Sequence, residues 1–115
     1  MTPLPSFSSL MERVRAFQQR VFGVTWPRDL DALAQQYSML ITRECFEVLD
    51  ETNFKPHKRP HPVNLDKVRE ETVDVFIYAM ALAAAVFLSP EAFLAAVEEK
   101  VAVNEARLAR EEQRI

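Results

Sequence analysis

The positions of glycine and proline constrain this chain more than any other feature of its sequence. Gly23 is the only glycine, and three of the seven prolines fall within residues 53–63, NFKPHKRPHPV. Proline breaks helices and glycine often follows their last turn, so the long stretches that lack both are predicted to be helical. No alternating strand pattern or internal repeat competes with this interpretation. The sequence therefore predicts an all-α fold.

Local capping patterns divide the chain into four predicted helices. Ser9 followed by Glu12 is a capping-box pattern, and Gly23 is a glycine stop for the same helix. Asn64 and Ser89 are suitable N-caps for two later helices. A basic loop at 53–63 separates the second helix from the third. The predicted spans are, in chain order, 8–23, about Leu30 to Thr52, Asn64 to about Leu88, and Pro90 to near Arg110.

Length and composition indicate a single globular domain over residues 1–115. The chain is 49% hydrophobic and 27% charged, the balance of a folded protein, and its net charge of -3 gives no general attraction to nucleic acid. The longest apolar run, Val75 to Leu88, is shorter than the roughly 20 residues that span a bilayer. The N-terminus lacks a signal-peptide pattern, and Cys45 is the lone cysteine, predicted to be a small buried side chain. We expect a cytoplasmic protein without a membrane or nucleic-acid partner.

Two of the predicted helices place carboxylates on their apolar faces. Glu44, Glu47 and Glu51 share one face of the second helix, and Glu71 and Asp74 repeat the pattern on the third. Ionised acids in a partly buried cleft are costly unless protons or cations compensate them. Mg²⁺ prefers oxygen ligands and commonly takes substrate phosphate as a further ligand. A Glu-x-x-Glu pair alone usually lies on a solvated face, but two such pairs joined by a basic loop favour a metal site.

These segments resemble a known family. RECFEVLDETNFK and REETVDVFIYAMAL resemble the Glu-x-x-Glu and Glu-x-x-Asp motifs of the all-α nucleoside triphosphate pyrophosphatases, which include MazG-like proteins and the dimeric helical dUTPases. VRAFQQRVFG and KVAVNEARLAR resemble further segments of the first and last helices, so the resemblance covers nearly the whole chain. DETNFKPHK is most similar to the dUTPase version, with Phe54 where tryptophan is usual. The resemblance implies a bundle of four to five helices assembled as a homo-oligomer.

The resemblance also implies an activity: magnesium-dependent hydrolysis of a nucleoside triphosphate, such as dUTP, dCTP or a non-standard nucleotide, to the monophosphate and pyrophosphate. Mn²⁺ can substitute for Mg²⁺. The implied metal ligands are Glu44, Glu47, Glu71 and Asp74. Glu47 and Glu51 are the implied catalytic residues, with Glu51 completing the metal shell or accepting a proton from the attacking water. The candidate substrate-binding residues are Gln18, Phe54, Lys55, Lys58, Lys100, Asn104 and Arg107, with Arg59 as a further phosphate partner.

Assembly and the alternative functions depend on the apolar third helix. A helix that is apolar all round needs neighbours on every side, so a homodimer or homotetramer is expected. One alternative is a non-catalytic helical interaction module whose acids form salt bridges between helices with Arg43, Lys67 or Arg69. A second is a nucleotide sensor that binds a triphosphate with little turnover. Phosphoribosyl-ATP pyrophosphatase shares the acidic motifs and is a further enzyme alternative.

Overall fold

The computed structural model describes residues 3–23, 26 and 29–114. Within these ranges the chain forms four helices and no strand, so the all-α prediction is confirmed. The connection between the first two helices lies partly outside the described residues, at 24–25 and 27–28. The helices are α1 (Phe7–Phe22), α2 (Leu30–Asp50), α3 (Leu65–Val86) and α4 (Pro90–Gln113).

Side-chain caps start the helices, and one of the predicted caps is wrong. The Ser6 hydroxyl accepts the backbone N–H of Ser9 at 3.0 Å, so α1 begins at Phe7. Ser9 therefore lies inside the first turn and cannot cap it. Ser6 has Ser9 and not an acid three residues later, so the capping-box pattern pointed to the wrong serine. The predicted caps of the last two helices, Asn64 and Ser89, are confirmed.

The helix ends follow the prediction to within about one turn. Gly23 ends α1 with a φ of 95°, a conformation that residues with a Cβ rarely adopt. α2 stops at Asp50, where the hydroxyl of Thr52 donates to the carbonyl of Leu49. α3 ends two residues earlier than expected and α4 runs three residues longer. Residues 53–63 contain no helix or strand, as their prolines predicted.

The core forms around α3, which packs against both α1 and α2. Alanines dominate its buried C-terminal half, and small side chains let neighbouring helices approach closely. The largest fully buried side chains are Tyr37 from α2 and Met11 from α1. The buried hydrophobic residues are Met11, Trp26, Tyr37, Met80, Ala81, Ala83, Ala84 and Ala85.

An aromatic cluster joins the C-terminal part of α3 to α1 and α4. The ring of Phe7 stacks on Phe93 at 5.8 Å and meets the edge of Phe76 at 6.1 Å. Phe87 contacts Phe93 at 5.2 Å. The guanidinium of Arg15 donates a hydrogen bond of 3.0 Å to the carbonyl of Phe87, which follows the last residue of α3. These contacts fix the first turns of α4 on the rest of the chain.

The chain is far from compact. Its radius of gyration is 18.0 Å, whereas a compact domain of this length has a radius of about 13 Å. The main cause is α4, which packs on α1 near its start and is exposed at every residue from Val97 to Arg114. No single described helix is long and apolar enough to span a membrane, and α3 and α4 pass that test only as a pair bent by 109°.

Candidate metal centre

Three carboxylates from two helices converge where α2 packs on α3. Glu44 of α2 and Glu71 and Asp74 of α3 each offer an oxygen, and these oxygens all lie within 4.8 Å of one another. The side chains of Glu44 and Glu71 are only 12% and 11% exposed. We call these three residues the acidic cluster. The helical spacing had placed each acid on an apolar face, and packing brings the two faces together.

The acids of the acidic cluster lie on the same helix faces as two tyrosines of the core. Glu44 follows the buried Tyr37 by seven residues, and Tyr78 follows Glu71 by the same interval. Residues seven apart lie on one helix face, so the faces that carry the buried Tyr37 and the partly buried Tyr78 also carry the acids. The acids therefore lie next to the core, with a small part of the Glu44 and Glu71 side chains exposed to solvent.

The other two predicted acids lie differently. Glu47 is exposed and does not belong to the converging group. Glu51 is half-buried and forms the C-cap of α2. The structure thus brings together three of the four predicted metal ligands, with Glu47 one turn away from Glu44.

The cations near these acids pair with residues on their own helix. Arg43 lies 3.3 Å from its neighbour Glu44, and Lys67 lies 3.4 Å from Glu71, one turn further along α3. Arg69 pairs with Asp66 at 3.6 Å. Among residues 3–23, 26 and 29–114, no salt bridge joins two helices, and Asp74 has none. The three acids therefore meet without a basic side chain that bridges α2 and α3.

Acids from both α2 and α3 act on the charge of Lys67. Its hydrogen bond to Glu71, together with the charges of Glu70 and Glu71, raises the pKa of Lys67 above its ordinary value. The charge of Glu51 on α2 acts in the same direction. Lys67 therefore stays protonated and lies within the field of acids from both helices.

The basic loop forms a cavity at the end of α2. The cavity has a volume of about 320 Å³, and three of the predicted phosphate partners line it, Lys55, Lys58 and Arg59. Phe54 lines it as well, with the ammonium of Lys55 5.5 Å from the centre of its ring. Asp50 is the one acid among the described residues of the lining, so the three cations outnumber it and the cavity favours an anionic ligand. The structure therefore brings the loop candidates into one place.

Asn53 holds this loop in shape, a role that the sequence analysis missed. Its side-chain amide donates to the carbonyl of His61 at 3.0 Å, and its side-chain oxygen accepts the backbone N–H of His61 at 2.9 Å. This pair of bonds closes the loop between residues 53 and 61. The available signal was an asparagine directly after a helix end and before a proline-rich segment, since asparagine often bonds nearby backbone there.

Gln18 takes a position inside the core. Its side chain is 8% exposed, and its amide oxygen accepts a hydrogen bond from the hydroxyl of Tyr37. Burial raises the pKa of Tyr37, and the nearby indole of Trp26 only partly offsets that effect. The indole does not form a hydrogen bond with good geometry to Tyr37, because Nε1 of Trp26 has no hydrogen-bond partner among the described residues. Gln18 thus has an internal partner for its oxygen in this chain.

The three candidates on α4 lie on its exposed part. Lys100, Asn104 and Arg107 are all exposed, and neither cation forms a salt bridge with a described residue. A helix that packs only near its start cannot bring these side chains to a site between α2 and α3 of the same chain.

Cys45 is exposed, so the prediction of a buried cysteine is wrong. Its neighbour Glu44 faces α3, and the next residue along a helix points about 100° away. That rotation carries Cys45 out of the interface with α3 and into solvent.

No protein-family model, curated protein sequence or solved structure matches the chain. A functional assignment therefore depends on the residues of the chain itself and on the motif resemblance.

Proposed function

We propose that the chain is a magnesium-dependent nucleoside triphosphate pyrophosphohydrolase of the all-α type, acting as a homodimer. The observation that carries this proposal is the convergence of Glu44, Glu71 and Asp74 within 4.8 Å across the α2–α3 interface. Three hard oxygen ligands of this kind suit Mg²⁺ or Mn²⁺, which fill the remaining positions with water and phosphate oxygens. They are the first acid of the Glu-x-x-Glu motif and both acids of the Glu-x-x-Asp motif in the resemblance.

The chemistry divides between the acidic cluster and the residues next to it. Bound Mg²⁺ would neutralise and orient the triphosphate. Glu51 and Glu47 lie one to two helical turns from Glu44 on the more exposed side, where an attacking water can reach them. One of these carboxylates would accept the water's proton as the water oxygen bonds to the α phosphorus and pyrophosphate leaves with the bridging oxygen. The products are the nucleoside monophosphate and pyrophosphate.

The basic loop supplies the phosphate partners on the chain that holds the metal. Lys55, Lys58 and Arg59 line one cavity and carry charges opposite to those of a triphosphate. Phe54 offers an aromatic face in the same cavity. The substrate would then extend from the acidic cluster past Glu51 towards the loop.

The exposed surface supports a second copy of the chain as the partner. The accessible surface is 9059 Å², whereas a folded monomer of 13.2 kDa exposes roughly 6,400 Å². The excess of roughly 2,600 Å² is more than each partner buries in a standard interface. On α3, Val73, Phe76 and Ile77 are 56%, 51% and 43% exposed, although the chain packs its other faces.

The apolar face of α4 continues this surface. Leu94, Val97, Val101 and Leu108 recur at helical spacing along one face and are 39% to 57% exposed. Asn104 lies on the same face. The first turns of this face pack on the core through Pro90 and Phe93, whereas the later turns meet solvent. A symmetric partner would extend that packing along the helix, and it would also bring charged residues of α4 near a neighbouring chain.

The test is a panel of nucleoside triphosphates incubated with the protein and Mg²⁺ and scored for monophosphate and pyrophosphate. We expect one or a few nucleotides to be cleaved, with no turnover when a chelator removes the metal. We also expect Mg²⁺ or Mn²⁺ to raise the melting temperature, because a ligand that binds only the folded state stabilises it. No hydrolysis across the panel, together with unchanged melting at millimolar metal, would contradict the proposal.

A helical interaction module is the second candidate, and the exposed apolar residues of α3 and α4 favour it. This candidate required salt bridges between helices, but the described ion pairs all lie within single helices. The same panel separates the two functions, because an interaction module needs no metal and releases no pyrophosphate. A nucleotide sensor would bind the triphosphate with Mg²⁺ and leave it intact.

A further inference from the structure

We propose that Lys67 is a counter-ion of the acidic cluster at Glu71, and that a divalent cation displaces its ammonium and frees it to pair with a phosphate of the substrate. This inference rests on the metal site of the proposed function. Lys67 does not belong to the acidic motifs, and its place in the structure rather than any motif points to this role.

The geometry around Glu71 makes the ammonium and a metal ion compete. Nζ of Lys67 lies 3.4 Å from Oε1 of Glu71, and 3.9 Å from Oε2 of Glu70. A Mg²⁺ ion bound to Glu71 would lie roughly 2.0–2.1 Å from its ligand oxygen. Two cations that close to one carboxylate repel each other, so an ammonium in its present position opposes metal binding.

Lys67 can leave the carboxylate at low cost. Its side chain is 44% exposed, and its flexible stem of four methylenes allows many other conformations. The pair is formed between residues four apart on an open helix surface, an arrangement that contributes little to stability. Displacement therefore needs no movement of α2 or α3.

The freed ammonium would lie between the acidic cluster and the cavity of the basic loop, the two parts of the proposed substrate site. Lys67 is in the first turn of α3, which directly follows the basic loop, and it feels the charge of Glu51 at the end of α2. A triphosphate that extends from the acidic cluster towards Lys55 and Lys58 would pass this position. Metal binding would then add one cation next to the phosphates as well as the metal itself.

Arg69 provides a matched control for Lys67. It lies two residues further along α3 and also pairs with an acid of its own helix, Asp66, at 3.6 Å. Its side chain is 69% exposed and Asp66 is 94% exposed, so this pair lies outside the acidic cluster. Removing either cation changes the net charge by the same amount, but of these two side chains Lys67 alone contacts a proposed metal ligand.

The experiment measures Mn²⁺ binding, with the metal alone, to wild type, Lys67→Met and Arg69→Met. We expect Lys67→Met to bind Mn²⁺ roughly three- to tenfold more tightly than wild type at low salt, and Arg69→Met to stay close to wild type. Lys67→Arg keeps the charge and should not show the gain. A triphosphate analogue with a non-hydrolysable α–β bridge then tests the second step, since it should raise Mn²⁺ affinity less in Lys67→Met than in wild type.

The outcomes separate this inference from the proposed function. Equal or weaker Mn²⁺ binding by Lys67→Met, with normal binding by wild type, overturns the counter-ion role and leaves the metal site in place. If the analogue raises Mn²⁺ affinity equally in wild type and Lys67→Met, the proposed pairing of Lys67 with a phosphate is wrong. If none of the proteins binds Mn²⁺ at millimolar concentration, the metal site is wrong and this inference falls with it. Circular dichroism confirms that each exposed-site variant has folded.

Discussion

The helices α3 and α4 are similar in length but differ in how much of each is covered. α3 has 22 residues, of which six are buried, whereas α4 has 24 residues and buries only Pro90. α3 packs against α1 and α2, while α4 meets α1 near its start and then extends into solvent. Both helices carry apolar residues at helical spacing. An apolar helix face therefore predicts a contact, but it does not say whether the same chain provides the surface that covers it.

The charged residues of the two helices follow the same division. The acids of α3 lie at the edge of a formed core, where α2 supplies a third carboxylate. Lys100 and Arg107 of α4 have no opposing surface within the described chain. The α3 half of the proposed site can therefore be tested in a single chain, whereas a contribution from α4 would require a second copy of the chain.

The largest expected effect concerns the acidic cluster of α3. Asp74→Asn keeps the size of the side chain but removes its charge, so we expect hydrolysis to fall by roughly a hundredfold or more, since even residues behind metal ligands cost roughly 10–100-fold. The metal-free protein should melt at a higher temperature, because repulsion from Glu44 and Glu71 is relieved. Activity assays and thermal melts measure the two effects.

Asp66→Asn is the control for this change, since Asp66 is 94% exposed in the first turn of the same helix. It should keep near wild-type activity. An Asp74→Asn protein that hydrolyses nucleotides at the wild-type rate and melts several degrees lower without metal would show a structural carboxylate instead of a ligand.

The next effect tests whether a second copy covers α4. Light scattering should give a mass of twice 13.2 kDa, about 26 kDa, or a higher multiple. Val101→Glu places a charge on the apolar face of α4 and should shift the mass towards that of the monomer, because burying an unpaired carboxylate is costly. Val103→Glu is the matched control, as Val103 is similarly exposed, 45% against 49%, but faces another direction. A wild-type mass near 13 kDa at all concentrations contradicts the dimer.

A smaller effect is expected on the KM for the nucleotide, where removal of a cation from the basic loop is compared with removal of one from α4. Lys58→Met removes one charge from the cavity at the end of α2, and we expect the KM for the nucleotide to rise about tenfold, typical of one charged hydrogen bond. Lys100→Met should raise KM less, since Lys100 lies on the exposed part of α4. Steady-state kinetics decide between them. An equal rise in both variants would show that α4 of another chain reaches the site.

The smallest expected effect is on the pH dependence of stability, and it comes from the buried hydroxyl of Tyr37. Burial raises the pKa of Tyr37 above its ordinary value of 10.0. The folded state then holds the phenol proton more tightly than the unfolded state, so this contribution to stability is complete below pH 10.0 and is lost as the pH rises through the raised pKa. Tyr37→Phe should flatten the fall in melting temperature above that pH.

Lys67 has a raised pKa as well, so its contribution is lost above its ordinary value of 10.5. Lys67→Met removes the contribution of Lys67 to this pH dependence and is measured together with Tyr37→Phe. Thermal melts from about pH 8 to about pH 11 measure both. Identical slopes for wild type and Tyr37→Phe would show that the phenol is not desolvated in the folded protein.

Local sequence signals determined the helices of this protein. The predicted N-caps Asn64 and Ser89 begin α3 and α4, and Gly23 ends α1 as predicted. The prolines keep residues 53–63 free of regular structure. These effects operate within a few residues, so no knowledge of the rest of the chain is needed. The cap of α1 was misplaced because two serines three residues apart offer the same hydroxyl.

Helical periodicity also determined which residues share a face, and so it placed Glu44 with Glu47 on α2 and Glu71 with Asp74 on α3. Only tertiary packing decided which acids meet: Glu44 joins the α3 pair, while Glu47 stays exposed. The same packing buried Gln18 against Tyr37 and left α4 uncovered. Periodicity fixes an angle around one helix axis, whereas the meeting of two side chains depends on how two axes are placed, and distant parts of the chain set that placement.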